Sequence, residues 1–169
     1  MANQQQLVDL FGADNVTCLD AEDRELFASA GIVADELFDV GLPDELWGCF
    51  VLEPTAEPEA FDGVRATLNG DDVTLVTLGA PHADSALRYY LNPLDGQVLL
   101  AQLDGGQPQL EVVNSTLAAF VDYLYRIGRF KTSDAQADDK ELLIADLTAR
   151  DPVAYAQPDN WWPLAVDNL

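Results

Sequence analysis

Positive charge is what this sequence most lacks: eight of its 169 residues are Lys or Arg, against 30 Asp and Glu, which leaves a formal net charge of −22. Nucleic-acid phosphates are held by Lys and Arg, so a surface this acidic excludes DNA and RNA as partners. It also repels an anionic membrane leaflet over about a Debye length, ~8 Å at physiological salt. The complement is a basic protein partner, whose encounter such a field accelerates. A salt-adapted proteome, in which unrelated proteins are acidic and Lys-poor, accounts for the same charge without a partner, and composition leaves both explanations open.

Cysteine and histidine are also scarce. Cys18 and Cys49 lie far apart, with neither a CxxC pair nor a neighbouring His, so no zinc site or redox motif is supported and two ordinary buried thiols are expected. No apolar run approaches the ~20 residues of a membrane span. The start Ala2-Asn3-Gln4-Gln5-Gln6 is polar, which points to the cytoplasm. The one imidazole, His82, has Asp84 and Ser85 beside it but no nucleophile elbow, and triad members converge from separate elements; a surface histidine is expected.

With so many carboxylates, the acidic pairs Asp35-Glu36, Asp44-Glu45, Asp71-Asp72 and Asp138-Asp139 are inevitable. None belongs to the alternating series, central Gly and terminal Glu of a calcium loop, and there is no P-loop or dinucleotide fingerprint. No catalytic, cofactor-binding or metal-binding residue is therefore expected. A hydrolase with a divalent metal at one of the acidic pairs is the least favoured reading.

Apolar residues are plentiful, at 49% with three Trp, five Tyr and seven Phe, enough for the core of one domain over 1–169. Leu7, Leu10 and Phe11 share a helical face, and Gly12 follows where a left-handed cap would sit. Asp20 is placed to cap a second helix over 21–30, anchored by Leu26 and Phe27. Around Pro54 and Pro58 the chain reads as an exposed loop and the likeliest mobile segment. Strands are expected over 64–68, 73–78, 88–91, 98–103 and 110–113. Asn69-Gly70-Asp71, Pro93-Leu94-Asp95-Gly96 and Asp104-Gly105-Gly106 between them signal antiparallel hairpins. The segments 73–78 and 98–101 are apolar on both faces and belong in the middle of the sheet.

Asn114 or Ser115 then caps a helix whose face is Leu117, Phe120, Val121, Leu124 and Ile127; Gly128 is expected to stop it, with Arg126, Arg129 and Lys131 complementing its dipole. After a polar break over 134–140, Leu142, Leu143, Ile144 and Leu147 mark another helix, ended by Asp151-Pro152. Trp47, Trp161 and Trp162 are expected in the core, except that two adjacent Trp cannot easily both face inward.

The helical start, a Gly-Leu-Pro turn (Gly41-Leu42-Pro43, or Gly31-Ile32-Val33 in its place), the Pro-Leu-Asp-Gly hairpin, the Val113-Asn114-Ser115-Thr116-Leu117 helix start and Asp151-Pro152 followed by Trp161-Trp162 occur in an order that resembles the SUKH superfamily of bacterial immunity proteins, specifically its fourth group. The resemblance covers nearly the whole chain, although the Gly-Leu-Pro element is displaced and the loop around Pro54 is expanded. It implies an α+β fold, a central, mostly antiparallel sheet flanked by N-terminal and C-terminal helices. It also implies a non-enzymatic immunity protein that binds a cognate toxin, commonly a nuclease or nucleic-acid deaminase, and occludes its active site. The acidic residues around the Gly41-Leu42-Pro43 turn, Asp35, Glu36, Asp39, Asp44 and Glu45, are the expected partner-binding set, against the plainer reading of a solvated face. The alternative function is a scaffolding or regulatory protein-binding module with no toxin involved.

Overall fold

The computed structural model describes residues 1–68, 70–102, 109–133 and 137–169, without the side chains of 109, 137 and 138. Helix α1 (Gln4–Phe11) opens with a capping box, in which Asn3 Oδ1 accepts from Gln6 N and Asn3 N donates to the Gln6 side chain. Gly12 ends it, as expected, at a positive φ of 93° with its N–H donated to Val8 O, although its ψ of 149° lies outside the left-handed helical well. After a 3-10 turn at Ala13–Asn15 come strand β1 (Val16–Thr17), helix α2 (Asp23–Ser29) and helix α3 (Asp35–Asp39). Strands β2 (Leu42–Pro43), β3 (Glu45–Leu46) and β4 (Phe50–Val51) follow; β1 pairs with β2 and β3 with β4. The expected Asp20 cap is absent, since Glu22 precedes α2 without a side-chain bond. Phe27 packs against the core as expected, whereas Leu26 points outward.

The five expected strands are present as β5 (Gly63–Leu68), β6 (Asp71–Gly79), β7 (Arg88–Leu91), β8 (Val98–Gln102) and β9 (Gln109–Asn114). Each pairs antiparallel with the next, so the sheet order is the sequence order. The fold is thus α+β, as read from the sequence. Strands β6 and β8 lie inside the sheet and bury residues on both faces. Val76, Leu78, Val98 and Leu100 join the main core under the helices, while Val73, Leu75, Leu99 and Ala101 gather with Tyr90 into a second cluster made only of sheet residues. The turn at Asp104-Gly105-Gly106 and residue Asn69 lie outside the described residues.

Helix α4 (Leu117–Thr132) runs antiparallel into α5 (Ala137–Arg150), a 3-10 turn at Pro152–Tyr155 and α6 (Trp161–Asp167). Two expectations about α4 are corrected. Gly128 does not stop the helix; it lies inside it, where an added Cβ would come within 2.6 Å of Phe11 Cζ and 3.1 Å of Leu10 Cδ2. The glycine is there for the close approach of α1. Nor do Asn114 or Ser115 cap α4, since Thr116 does, accepting from Ala119 N at 3.1 Å. Helix α5 also begins earlier than expected, at Ala137, inside the presumed polar break.

Asn114 and Ser115 have other work. Asp151 Oδ2 accepts from Asn114 Nδ2 at 3.0 Å and from Ser115 N at 2.7 Å, and Asn114 Oδ1 accepts from the Trp162 indole N–H at 2.9 Å. All three side chains are buried. Two motifs nearly 40 positions apart, the helix start and the Asp-Pro-to-Trp terminus, therefore meet as one polar network that ties β9 to the C-terminal elements. Around it runs a chain of rings: Phe50 to Tyr89 at 5.9 Å, Tyr89 to Phe120 at 5.0 Å, Phe120 to Trp162 at 6.1 Å and Trp162 to Tyr123 at 5.4 Å. Trp162 is buried and Trp161 half-buried, as adjacency required. Trp47 is not in the core at all; it is 78% exposed.

Candidate partner-binding surface

The few cations are largely engaged in holding the fold together. Arg126 and Arg150 clasp α4 to α5: Arg126 Nε donates to the buried Asp122 at 2.8 Å, Arg150 Nη1 donates to the same carboxylate at 3.2 Å, and both arginines reach Asp146. Arg126 therefore serves an ion-pair network rather than the helix dipole, whereas Arg129 and Lys131 do occupy the last turn of α4. Arg88 is buried and donates to the carbonyls of Ser85, Leu87 and Ala56. With Thr55 N bonded to Ala83 O at 2.8 Å, that arginine tethers the loop around Pro54 at two points, so the loop is exposed, as expected, but anchored. With these cations tied to internal partners, the surface carboxylates are left with little to offset them.

Three of the five expected partner-binding residues come together on α3. Its first turn begins at Asp35 and Glu36, where anions favour the helix dipole, and one helical turn later stands Asp39. Arg24 of α2 donates to Asp35 at 2.8 Å and Asp39 at 2.5 Å while its guanidinium lies 4.6 Å over the Phe38 ring. Such exposed pairs contribute about 0–1 kcal/mol each and link α2 to α3 only weakly. Glu36 is the pivot. It lines a cleft of about 150 Å³ with Asp35, Asp39, Val40, Ala118 and Val121, and a larger one of about 380 Å³ with Val33, Leu94, Asp95 and Leu117. At the larger cleft Val33 is 76% and Leu94 66% exposed, two aliphatic side chains set among carboxylates. Sequence reasoning missed both, because an exposed Val after a turn and an exposed Leu inside Pro-Leu-Asp-Gly leave no periodic signal.

The other two expected residues do not join this surface. Asp44 is half-buried and accepts from Thr17 Oγ1 at 2.8 Å; its backbone also bonds Asn15 and Leu52, which makes it a fastener of the small strands. Glu45 is exposed but lines a different cleft, with Trp47 and His82. His82 is exposed, as expected, and its Nδ1 pairs with Asp84 at 2.9 Å; the Ser85 hydroxyl accepts from Leu87 N at 3.1 Å, so that Ser85 meets His82 through its backbone N–H and not through a hydroxyl–imidazole bond. Among the described residues there is no grouping of three or more His, Cys, Asp or Glu able to hold a metal ion, and no helix long and apolar enough to cross a membrane. Cys49 is buried, as expected, and Cys18 is only half-buried.

The order of elements, the acidic α3 edge and the Asn114–Asp151–Trp162 network all fall within one family match: the model of the SUKH-4 immunity protein family covers residues 2–168. The chain belongs to the SUKH-4 immunity protein family. No curated protein and no solved structure matches it. Membership in the SUKH-4 family makes a toxin the expected partner and binding, rather than turnover, the usual mode of action.

Proposed function

We propose that this SUKH-4 family member neutralises a toxin acting on nucleic acid, a nuclease or deaminase, by seating its α2–α3 edge over the toxin's basic substrate cleft in the cytoplasm. The observation that carries this is the pair of clefts pivoting on Glu36, where Val33 and Leu94 stand exposed among Asp35, Glu36, Asp39 and Asp95, of which Arg24 pairs with Asp35 and Asp39. Toxins that bind phosphate backbones present Lys and Arg, and an acidic plug competes for those side chains with fast, salt-sensitive association. Apolar contacts from Val33 and Leu94 would then slow dissociation, which is where affinity is mostly tuned.

Co-expression with nuclease and deaminase toxin domains, those encoded by any neighbouring gene first, tests this. Wild type is expected to restore growth and co-purify; Glu36→Lys and Leu94→Asp, with folding verified by circular dichroism, are expected to lose protection. Association should slow steeply with added salt. A folded wild-type protein that neither binds nor protects, or variants that protect fully, overturn the proposal.

A further inference from the structure

Trp47 is the largest apolar side chain that the fold leaves outside. Trp47 opens the turn between β3 and β4; it and Glu45 are exposed and line one cleft, while Leu46 between them is buried. Beneath the turn, Cys49 is buried, its carbonyl accepts the Tyr89 hydroxyl at 2.8 Å, and Phe50 stacks into the ring chain of the core. Burial keeps the Tyr89 hydroxyl protonated and so fit to donate. The indole therefore stands exposed at the start of a turn whose later residues, Cys49 and Phe50, are held in the core.

Beside it is a cleft of about 370 Å³ lined by Glu45, Trp47, Phe50, Val51, Pro81 and His82. The indole face is already used by a cation, since Lys131 Nζ lies 5.8 Å from the ring centroid. A π-face that holds one ammonium, an apolar wall from Phe50, Val51 and Pro81, and a carboxylate at the mouth together form a receptor for a flat cation on an apolar stem.

We infer that the Trp47 cleft is a capture site for one arginine side chain displayed by a partner protein. The guanidinium stacks on the indole, donates a fork of hydrogen bonds to Glu45 and competes with Lys131 for the ring, the one group of the two that this ammonium lies over. The inference rests on the protein-binding reading only in taking a protein as the carrier of the arginine. It is separate from the Glu36 clefts, with which the Trp47 cleft shares no lining residue.

The test titrates the full chain with the peptide acetyl-Gly-Arg-Gly-amide and its Lys counterpart, following the three indole N–H resonances by NMR. The Trp47 resonance is expected to shift saturably, with the arginine peptide bound more tightly than the lysine peptide. Trp47→Leu is expected to weaken arginine binding by about three- to fivefold. Glu45→Gln should weaken it by a similar factor, and Lys131→Met should strengthen it. An unmoved Trp47 resonance, equal binding of the two peptides, or no response to Glu45→Gln overturns the inference. Loss of peptide binding with toxin protection intact removes this cleft alone, whereas failed protection with intact peptide binding removes only the Glu36 surface.

Discussion

Replacing Asn114 by Ala perturbs the network that joins β9 to the C-terminal elements. The amide donates to Asp151 Oδ2 at 3.0 Å and accepts from Trp162 Nε1 at 2.9 Å, and all three groups are buried. Removing it leaves the indole N–H without an acceptor, at about 1–3 kcal/mol, and takes from the Asp151 carboxylate one of its two donors, at about 1.5–3 kcal/mol. Water entering the small void recovers part of this, so a net loss of about 3 kcal/mol is expected. For a chain of this length that lowers Tm by about 6–12 °C. Urea unfolding followed by circular dichroism reads the first number and calorimetry the second. Trp162→Phe deletes the indole donor, so Asn114→Ala should cost about 1 kcal/mol less in that background. An Asn114→Ala loss below about 0.5 kcal/mol, or strict additivity in the cycle, would refute the network as a structural tie.

Gly128→Ala improves helix propensity by up to about 1 kcal/mol, yet its Cβ meets Phe11 at 2.6 Å, so a net destabilisation of about 1–2 kcal/mol is expected by the same urea assay. Stabilisation would show that α1 yields freely. Glu111 is half-buried and bonded by Trp161 N at 2.6 Å; burial, reinforced by Asp159, raises its pKa despite that bond. A carboxyl whose folded pKa is raised penalises the fold above that pKa, and the penalty lifts as pH falls through it towards the unfolded value of about 4.3. Glu111→Gln, which keeps an acceptor for Trp161, should thus gain on wild type as pH rises through this window; a pH-independent difference would contradict the shift. Burial pushes the Cys49 thiol up to about 11, partly offset by Lys131, so at pH near 8 a disulfide-exchange reagent should modify at most Cys18 in the folded protein. Rapid reaction in a Cys18→Ala variant would show otherwise.

Local patterning decided much of this protein before any contact was known. Apolar runs rich in β-branched residues, three of their four connections marked by Gly- and Asp-bearing turns, placed the five strands within a residue or two, and the turns signalled antiparallel pairing of neighbours in sequence. The stripe from Leu117 to Ile127 placed α4, and the scarcity of Lys and Arg made the surface acidic whatever the fold. Tertiary structure decided the exceptions, each where a distant residue outbid a local preference. Gly128 reads as a stop signal until Phe11 is packed against it, and Asn114 reads as a cap until Asp151 and Trp162 arrive from the far end of the chain. Asp44 and Glu45 are neighbours in sequence, but the hairpin turns one towards Thr17 and the other towards Trp47. Which carboxylates form a surface, and that Trp47 should stand outside it, are properties of how elements meet, and no window of adjacent residues encodes them.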